Sequence, residues 1–222
     1  MLREVKDLAA SRLYTFIDTG CLRGRDPVEI ARQLCDGGSD IIQLRAKHSS
    51  PDEIRSIAER VFSVTRNAGV PLVINDLPEV ASSVGAEMCH LGQEDFFDAG
   101  FSRRSQLTGL DSRVMLGLSS HAPDQAGRAV SAGADYIAVG PVFSTPTKPG
   151  RAPVTLDYAR WAAANVHIPW FAIGGITLQN VDAVLASGAR RICVVSAILN
   201  APDISEACQQ FRKRLLSAPV AR

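Results

Sequence analysis

Ser131-Ala132-Gly133-Ala134-Asp135-Tyr136-Ile137-Ala138-Val139-Gly140-Pro141 is the stretch on which the fold turns. A Gly at a helix C′ position gives way at once to a short apolar run, and the run stops at a Gly-Pro pair. The same punctuation recurs at Asp36-Gly37-Gly38-Ser39-Asp40, Asn67-Ala68-Gly69-Val70-Pro71 and Ala186-Ser187-Gly188-Ala189-Arg190. Apolar runs rich in β-branched residues occupy 13–17, 41–44, 72–74, 88–91, 114–118, 136–139, 170–173 and 192–195. Between most of them lies an amphipathic stretch. Ile54, Ile57, Ala58, Val61 and Val64 repeat at helical spacing behind Ser50-Pro51-Asp52-Glu53, which reads as an N-cap with Pro in the first turn.

Near-continuous apolar strands that alternate with helices predict a parallel sheet covered on its outside. Eight such units in 222 residues leave about 28 residues each, the compact end for a closed barrel of ~250 residues. The fold class is therefore α/β: a single (β/α)8 TIM barrel over 1–222, with the active site at the C-terminal strand ends and a frayed tail at 218–222. A doubly wound open sheet is the rival. It wants fewer strands and, in its dinucleotide form, G-x-G-x-x-G after the first one, which Asp18-Thr19-Gly20-Cys21-Leu22-Arg23-Gly24 does not fit.

With 24 Lys and Arg against 23 Asp and Glu, the net charge of +1 leaves no basic excess for a nucleic-acid backbone. The charged start Met1-Leu2-Arg3-Glu4-Val5-Lys6-Asp7 lacks a secretory apolar region, and no apolar run approaches the ~18 residues of a membrane span. A soluble, cytoplasmic protein with small-molecule partners and neither nucleic acid nor membrane is the expectation. Cys21, Cys35, Cys89, Cys193 and Cys208 form no C-x-x-C pair and read as reduced core thiols without a catalytic part.

In a barrel the loops after the strands build the site, so polar residues there carry the information. Gln43, Arg45 and Lys47 fall on one side of an extended chain after the second run; alternatively, the strand simply frays into a solvated loop. Asp76 and Asp95 follow neighbouring runs and suit a hard cation such as Mg²⁺, unless each caps the next helix. Glu94 reads as a solvated neighbour, and His90 and His121 as packed or hydrogen-bonded rim histidines. Ser119 lacks a nucleophile elbow and reads as a hydrogen-bond donor to a ligand. Thr145, Thr147, Lys148 and Arg151 sit in a Pro/Gly-shaped anion-binding segment. Gly174-Gly175 and the segment Val195-Ser196 follow the last two runs, where barrels commonly hold phosphate.

Taken in order, Gln43-Leu44-Arg45-x-Lys47, Asn75-Asp76, His90-Leu91-Gly92-Gln93-x-Asp95, Gly117-x-Ser119-x-His121, Gly140-Pro141-x-x-x-Thr145-x-Thr147-Lys148, Ile173-Gly174-Gly175-Ile176 and Val195-Ser196-Ala197-Ile198 resemble the thiamine-phosphate synthase family. The resemblance implies a Mg²⁺-dependent transferase that joins 4-amino-2-methyl-5-hydroxymethylpyrimidine diphosphate to 4-methyl-5-(2-phosphoethyl)thiazole. By the family's motif, Gln43, Arg45, Lys47, Asn75, Ser119 and Lys148 face the pyrimidine diphosphate, with Arg45, Lys47, Lys148 and Ser119 in catalytic roles. The same motif implies that Asp76 and Asp95 hold Mg²⁺. By the same resemblance Thr145 and Thr147 would face the thiazole phosphate, and Gly174 or Gly175 with Val195 and Ser196 its phosphate group. Ala46 stands where many members carry an acidic residue, and Gly150 where many have Asp. The competing readings are a thiazole tautomerase-like barrel, which has no diphosphate to release, and a non-catalytic binder of a thiamine precursor.

Overall fold

A computed structural model describes residues 7–145 and 153–217. Eight strands run parallel and close in sequence order: β1 Leu13–Asp18, β2 Ile41–Arg45, β3 Leu72–Asn75, β4 Met88–Leu91, β5 Met115–Ser120, β6 Tyr136–Val139, β7 Trp170–Ile173 and β8 Ile192–Val194. Each apolar run is a strand, with every bound within one residue of that expected except at Ser120, which lies two residues on; Asp18, Arg45, Asn75 and Ser120 are polar ends that extend the ladders toward the mouth, and Val114 and Val195 fall just outside. The 218–222 tail lies outside the described residues.

The helices on the outside are α1 Pro27–Asp36, α2 Pro51–Ala68, α3 Pro78–Val84, α4 Pro123–Ser131, α5 Thr155–Asn165, α6 Val181–Ala186, the short α7 Ser196–Leu199 and α8 Ile204–Ser217. Proline opens the first four, where its missing N–H costs nothing. At α2, Ser50 and Glu53 form a reciprocal capping box and Gly69 closes the helix at φ 68°. Gly38, Gly133 and Gly188 take φ of 84°, 88° and 94° at the other three expected stops. Between β4 and β5 there is no α-helix. A π-helical turn at Glu94–Asp98 and a 3-10 turn at Arg104–Gln106 stand there, and Phe96, fully buried, packs edge-on against Phe97.

Alternation along the strands divides the core in two. One set of side chains packs outward under the helices. The other fills the barrel: Tyr14, Phe16, Ile41, Val73, Met88, Tyr136, Phe171 and Cys193. Phe171 meets Tyr14 and Tyr136 edge-on, with ring centroids 5.4 and 5.8 Å apart. This aromatic plug floors the cavity above it.

The opposite, N-terminal rim is stitched by carboxylates. Asp40, just before β2, accepts from the Leu13 N–H at 3.0 Å; Glu87, just before β4, accepts from Leu72 at 2.9 Å; Asp135, just before β6, accepts from Leu116 at 2.7 Å. Burial pushes the Glu87 carboxyl above its ordinary 4.5, against the pull of the Leu72 and Glu87 backbone N–H groups and Arg66. A raised folded-state value contributes stability that is complete below 4.5 and lost as pH rises through that value. Glu87→Gln keeps an acceptor for Leu72 without a charge. It is expected to melt higher than the unsubstituted protein at pH 7–8, by a margin that shrinks on acidification, as thermal unfolding at several pH values checks. A lower melting point at pH 8 would show that the charge itself holds the rim.

Candidate active site at the barrel mouth

Above the aromatic floor lies a cavity that opens to solvent at the C-terminal strand ends. Gln43, Arg45, Lys47, Asn75, Asp76, Asp95, Ser119, Thr145, Gly174, Gly175, Val195 and Ser196 all line it. Thr147 and Lys148 lie outside the described residues. Glu94 lines the cavity while remaining exposed.

Strand alternation places Gln43 and Arg45 inward from β2, and Lys47 just past the strand end. Arg45 donates from Nη1 to Asp18 Oδ2 at 2.7 Å. Asp18 is buried at the end of β1, and its other oxygen accepts from the Gly20 N–H at 3.1 Å, so the carboxylate is fixed from two sides. An arginine anchored in this way presents its remaining donors to the cavity with less rotamer freedom to lose.

Lys47 Nζ lies 2.7 Å from Asp76 Oδ2 and 3.9 Å from Asp95 Oδ2. Asn75 Nδ2 donates to the same Asp76 oxygen at 2.5 Å. Burial raises the Asp76 carboxyl above its ordinary value, with Asp95 adding in the same direction and Lys47 opposing both. Asp76 also holds φ 64°, a left-handed conformation that only Asn, Asp and Gly adopt readily. No side chain caps α3 or the Glu94–Asp98 turn, so neither Asp76 nor Asp95 acts as a helix cap. Among the described residues no cluster of three or more His, Cys, Asp or Glu is formed. Two crowded carboxylates with only oxygen donors fit a hard cation that keeps several waters, the coordination habit of Mg²⁺.

The loops after β6 and β7 lock together. The N–H groups of Val142 and Phe143 donate to the carbonyls of Ile173 and Gly174 at 2.8 and 3.1 Å. Gly174 and Gly175 sit at φ 107° and 62°, and a Cβ on Gly175 would meet the Ser144 carbonyl oxygen at 2.5 Å. Asn180 braces the turn from beneath, accepting from the Thr177 N–H at 2.8 Å and donating to the Gly175 carbonyl at 2.9 Å.

His90 is buried and hydrogen-bonded to Ser119 and Tyr136, and His121 Nδ1 meets the Gly140 carbonyl. Both are bonded rim histidines. Cys89, Cys193 and Cys208 are buried free thiols, while Cys21 and Cys35 are only partly buried. Cys193 also lines the cavity, and burial pushes its thiol far above the ordinary value, which disfavours the nucleophilic thiolate. Sequence reasoning missed Asp18, Asn180, Tyr14 and Tyr136; only the strand-end position of Asp18 signalled any of them.

The family model of thiamine monophosphate synthase matches residues 13–198. A thiamine-phosphate synthase of Thermus thermophilus is 48% identical over 180 residues, 81% of this chain and 84% of that protein. One of Acidothermus cellulolyticus is 42% identical over 213 residues, covering 95% and 98%. Among solved structures, a thiamine phosphate pyrophosphorylase from Pyrococcus furiosus superposes with a TM-score of 0.80 at 28% identity, over 94% of this chain and 97% of that one. A 3-hexulose-6-phosphate synthase, at 20% identity and TM-score 0.62, shares the fold. No helix among the described residues is long and apolar enough to cross a membrane.

Proposed function

The chain belongs to the thiamine monophosphate synthase family, and we infer from that premise that it is a transferase joining 4-amino-2-methyl-5-hydroxymethylpyrimidine diphosphate to 4-methyl-5-(2-phosphoethyl)thiazole, with release of pyrophosphate. The observation that carries this reading is the convergence of Arg45, Lys47 and the Asp76–Asp95 pair on one cavity, because a site that only binds or rearranges a thiazole has no diphosphate to meet. Residues 1–222 act as one domain in this reading.

No protein nucleophile is required. Diphosphate departs from an exocyclic methylene whose developing positive charge the electron-rich aminopyrimidine spreads, and the thiazole nitrogen attacks with its own lone pair. The chain must neutralise the leaving group and hold the acceptor in line. Gln43, Asn75 and Ser119 position the pyrimidine, and Arg45, Lys47 and Lys148 bind the diphosphate as its charge grows. Thr145, Thr147, Gly174, Gly175, Val195 and Ser196 hold the thiazole phosphate. Asp76 and Asp95 would hold Mg²⁺, which when bound neutralises charge on the departing diphosphate.

Incubation with both substrates and Mg²⁺ is expected to yield thiamine phosphate; no product under those conditions overturns the assignment. The loop after β6 gives a finer test. Lys148→Ala is expected to lower turnover more than apparent affinity, because the charge it meets grows in the transition state. Thr147→Ala is expected to raise the KM for thiazole phosphate by roughly 10-fold or more, the loss of a hydrogen bond to a charged group, with turnover nearly kept. Steady-state kinetics varying each substrate in turn separate the two. A Lys148→Ala effect confined to a KM would make this loop a binding surface only.

A further inference from the structure

Beneath the cavity an unbroken chain of hydrogen bonds crosses the barrel. Gln43 Nε2 donates to the Tyr14 hydroxyl at 3.0 Å, Tyr14 and Tyr136 meet hydroxyl to hydroxyl at 3.2 Å, and Tyr136 reaches His90 Nδ1 at 3.3 Å. His90 Nε2 then meets Ser119 Oγ at 3.1 Å. Both tyrosines are buried, with 1% and 0% of their surface exposed, and burial drives both phenols far above their ordinary value, so both keep their protons.

Such a chain has a sense. An amide nitrogen donates only, so Tyr14 accepts from Gln43, and Tyr136 is the one acceptor left within reach of its own buried proton. Tyr136 in turn donates to His90 Nδ1, which leaves the proton of the neutral ring on Nε2, facing Ser119. Ser119 accepts there and keeps its hydroxyl proton for the cavity. At the far end, an amide whose nitrogen is committed to Tyr14 turns its carbonyl oxygen to the cavity.

We propose that Tyr14 and Tyr136 are positioning residues that fix Gln43 as an acceptor and Ser119 as a donor at the cavity wall, and that this polarity selects an aminopyrimidine over its oxo counterpart. An aminopyrimidine offers an N–H beside a ring nitrogen lone pair. The oxo form, as a lactam, offers a carbonyl beside a ring N–H, the inverted pattern. The inference rests on the pyrimidine-binding reading of Gln43 and Ser119 given above.

The test measures inhibition constants of the amino and oxo forms of 2-methyl-5-hydroxymethylpyrimidine against the diphosphate substrate, since neither inhibitor carries the leaving group and intrinsic reactivity drops out. The full chain is expected to favour the amino form by about 100-fold or more, since the oxo form leaves two buried polar groups of the site unpaired. In Tyr14→Phe and in Tyr136→Phe that ratio is expected to fall by about 10-fold, with the KM for thiazole phosphate unmoved. An equal or reversed preference in the unsubstituted protein overturns the proposal without any variant having to fold. So does an unchanged ratio in a folded variant. Failure to form product at all would count against the reaction and not against the measured ratio, so the two readings fail separately.

Discussion

On the proposed reading, in which Asp76 and Asp95 hold a hard cation against the leaving diphosphate, Asp76→Asn removes one of two charged ligands and is expected to lower turnover by about 1000-fold. The substitution isolates charge from shape. Asn has the same outline and tolerates the φ of 64° that the backbone holds there, whereas Asp76→Ala adds backbone strain to the loss of charge. Because burial already penalises the Asp76 carboxylate, its neutral replacement is expected to melt no earlier than the unsubstituted protein. Activity titrated against Mg²⁺, with a melting curve beside it, checks both halves. Normal activity at ordinary Mg²⁺ with an early melt would return Asp76 to a structural role.

Gly117→Ala is expected to cost about 3 kcal/mol, at the upper end for overpacking a close-packed interior, and to lower the melting point by roughly 6–12 °C. Gly117 lies on β5 and faces the barrel interior, where a new Cβ would press into Tyr136, with the ring Cε1 only 2.5 Å away. Tyr136 is fully buried against Phe171 and held by Tyr14 and His90, so the ring has nowhere to retreat. Gly127 supplies the control. It sits inside α4 with nothing within 4 Å of the point a Cβ would occupy, and Gly127→Ala is expected to stabilise by about 0.5–1 kcal/mol through helix propensity alone. Equal effects from the two substitutions would mean that the interior yields.

The strands were legible because a parallel sheet buried on both faces writes itself as apolar runs, and because left-handed glycines mark where α1, α2, α4 and α6 stop. The mouth was legible for a related reason: polar residues on every second position at a strand's end, as at Gln43 and Arg45, have only the cavity to enter. Tyr14 and Tyr136 were not, since they sit inside apolar runs like any core residue. Their hydroxyls meet only because the barrel closes across 122 residues of sequence. Asp18 was hidden in a segment weighed only for its glycines, and its role depends on Arg45 being the register partner from β2. The crossover after β4 lacks a 3.6-residue repeat, and its cover is a knot of phenylalanines that no periodicity announces.

The carboxylates of the lower rim group the strands in a way the sheet ladder does not. Asp40 ties β1 to β2, Glu87 ties β3 to β4 and Asp135 ties β5 to β6, while Arg191 stands in the equivalent place before β8. Seen from below, six of the eight strands form two-strand staves, each pinned within itself and joined to the next by backbone bonding. The sequence counts in single strand-and-helix units, but the pinned unit counts in pairs. Duplication or exchange of a (βα)2 segment therefore carries its own fastening with it, whereas a cut inside a pair leaves a carboxylate facing a foreign strand.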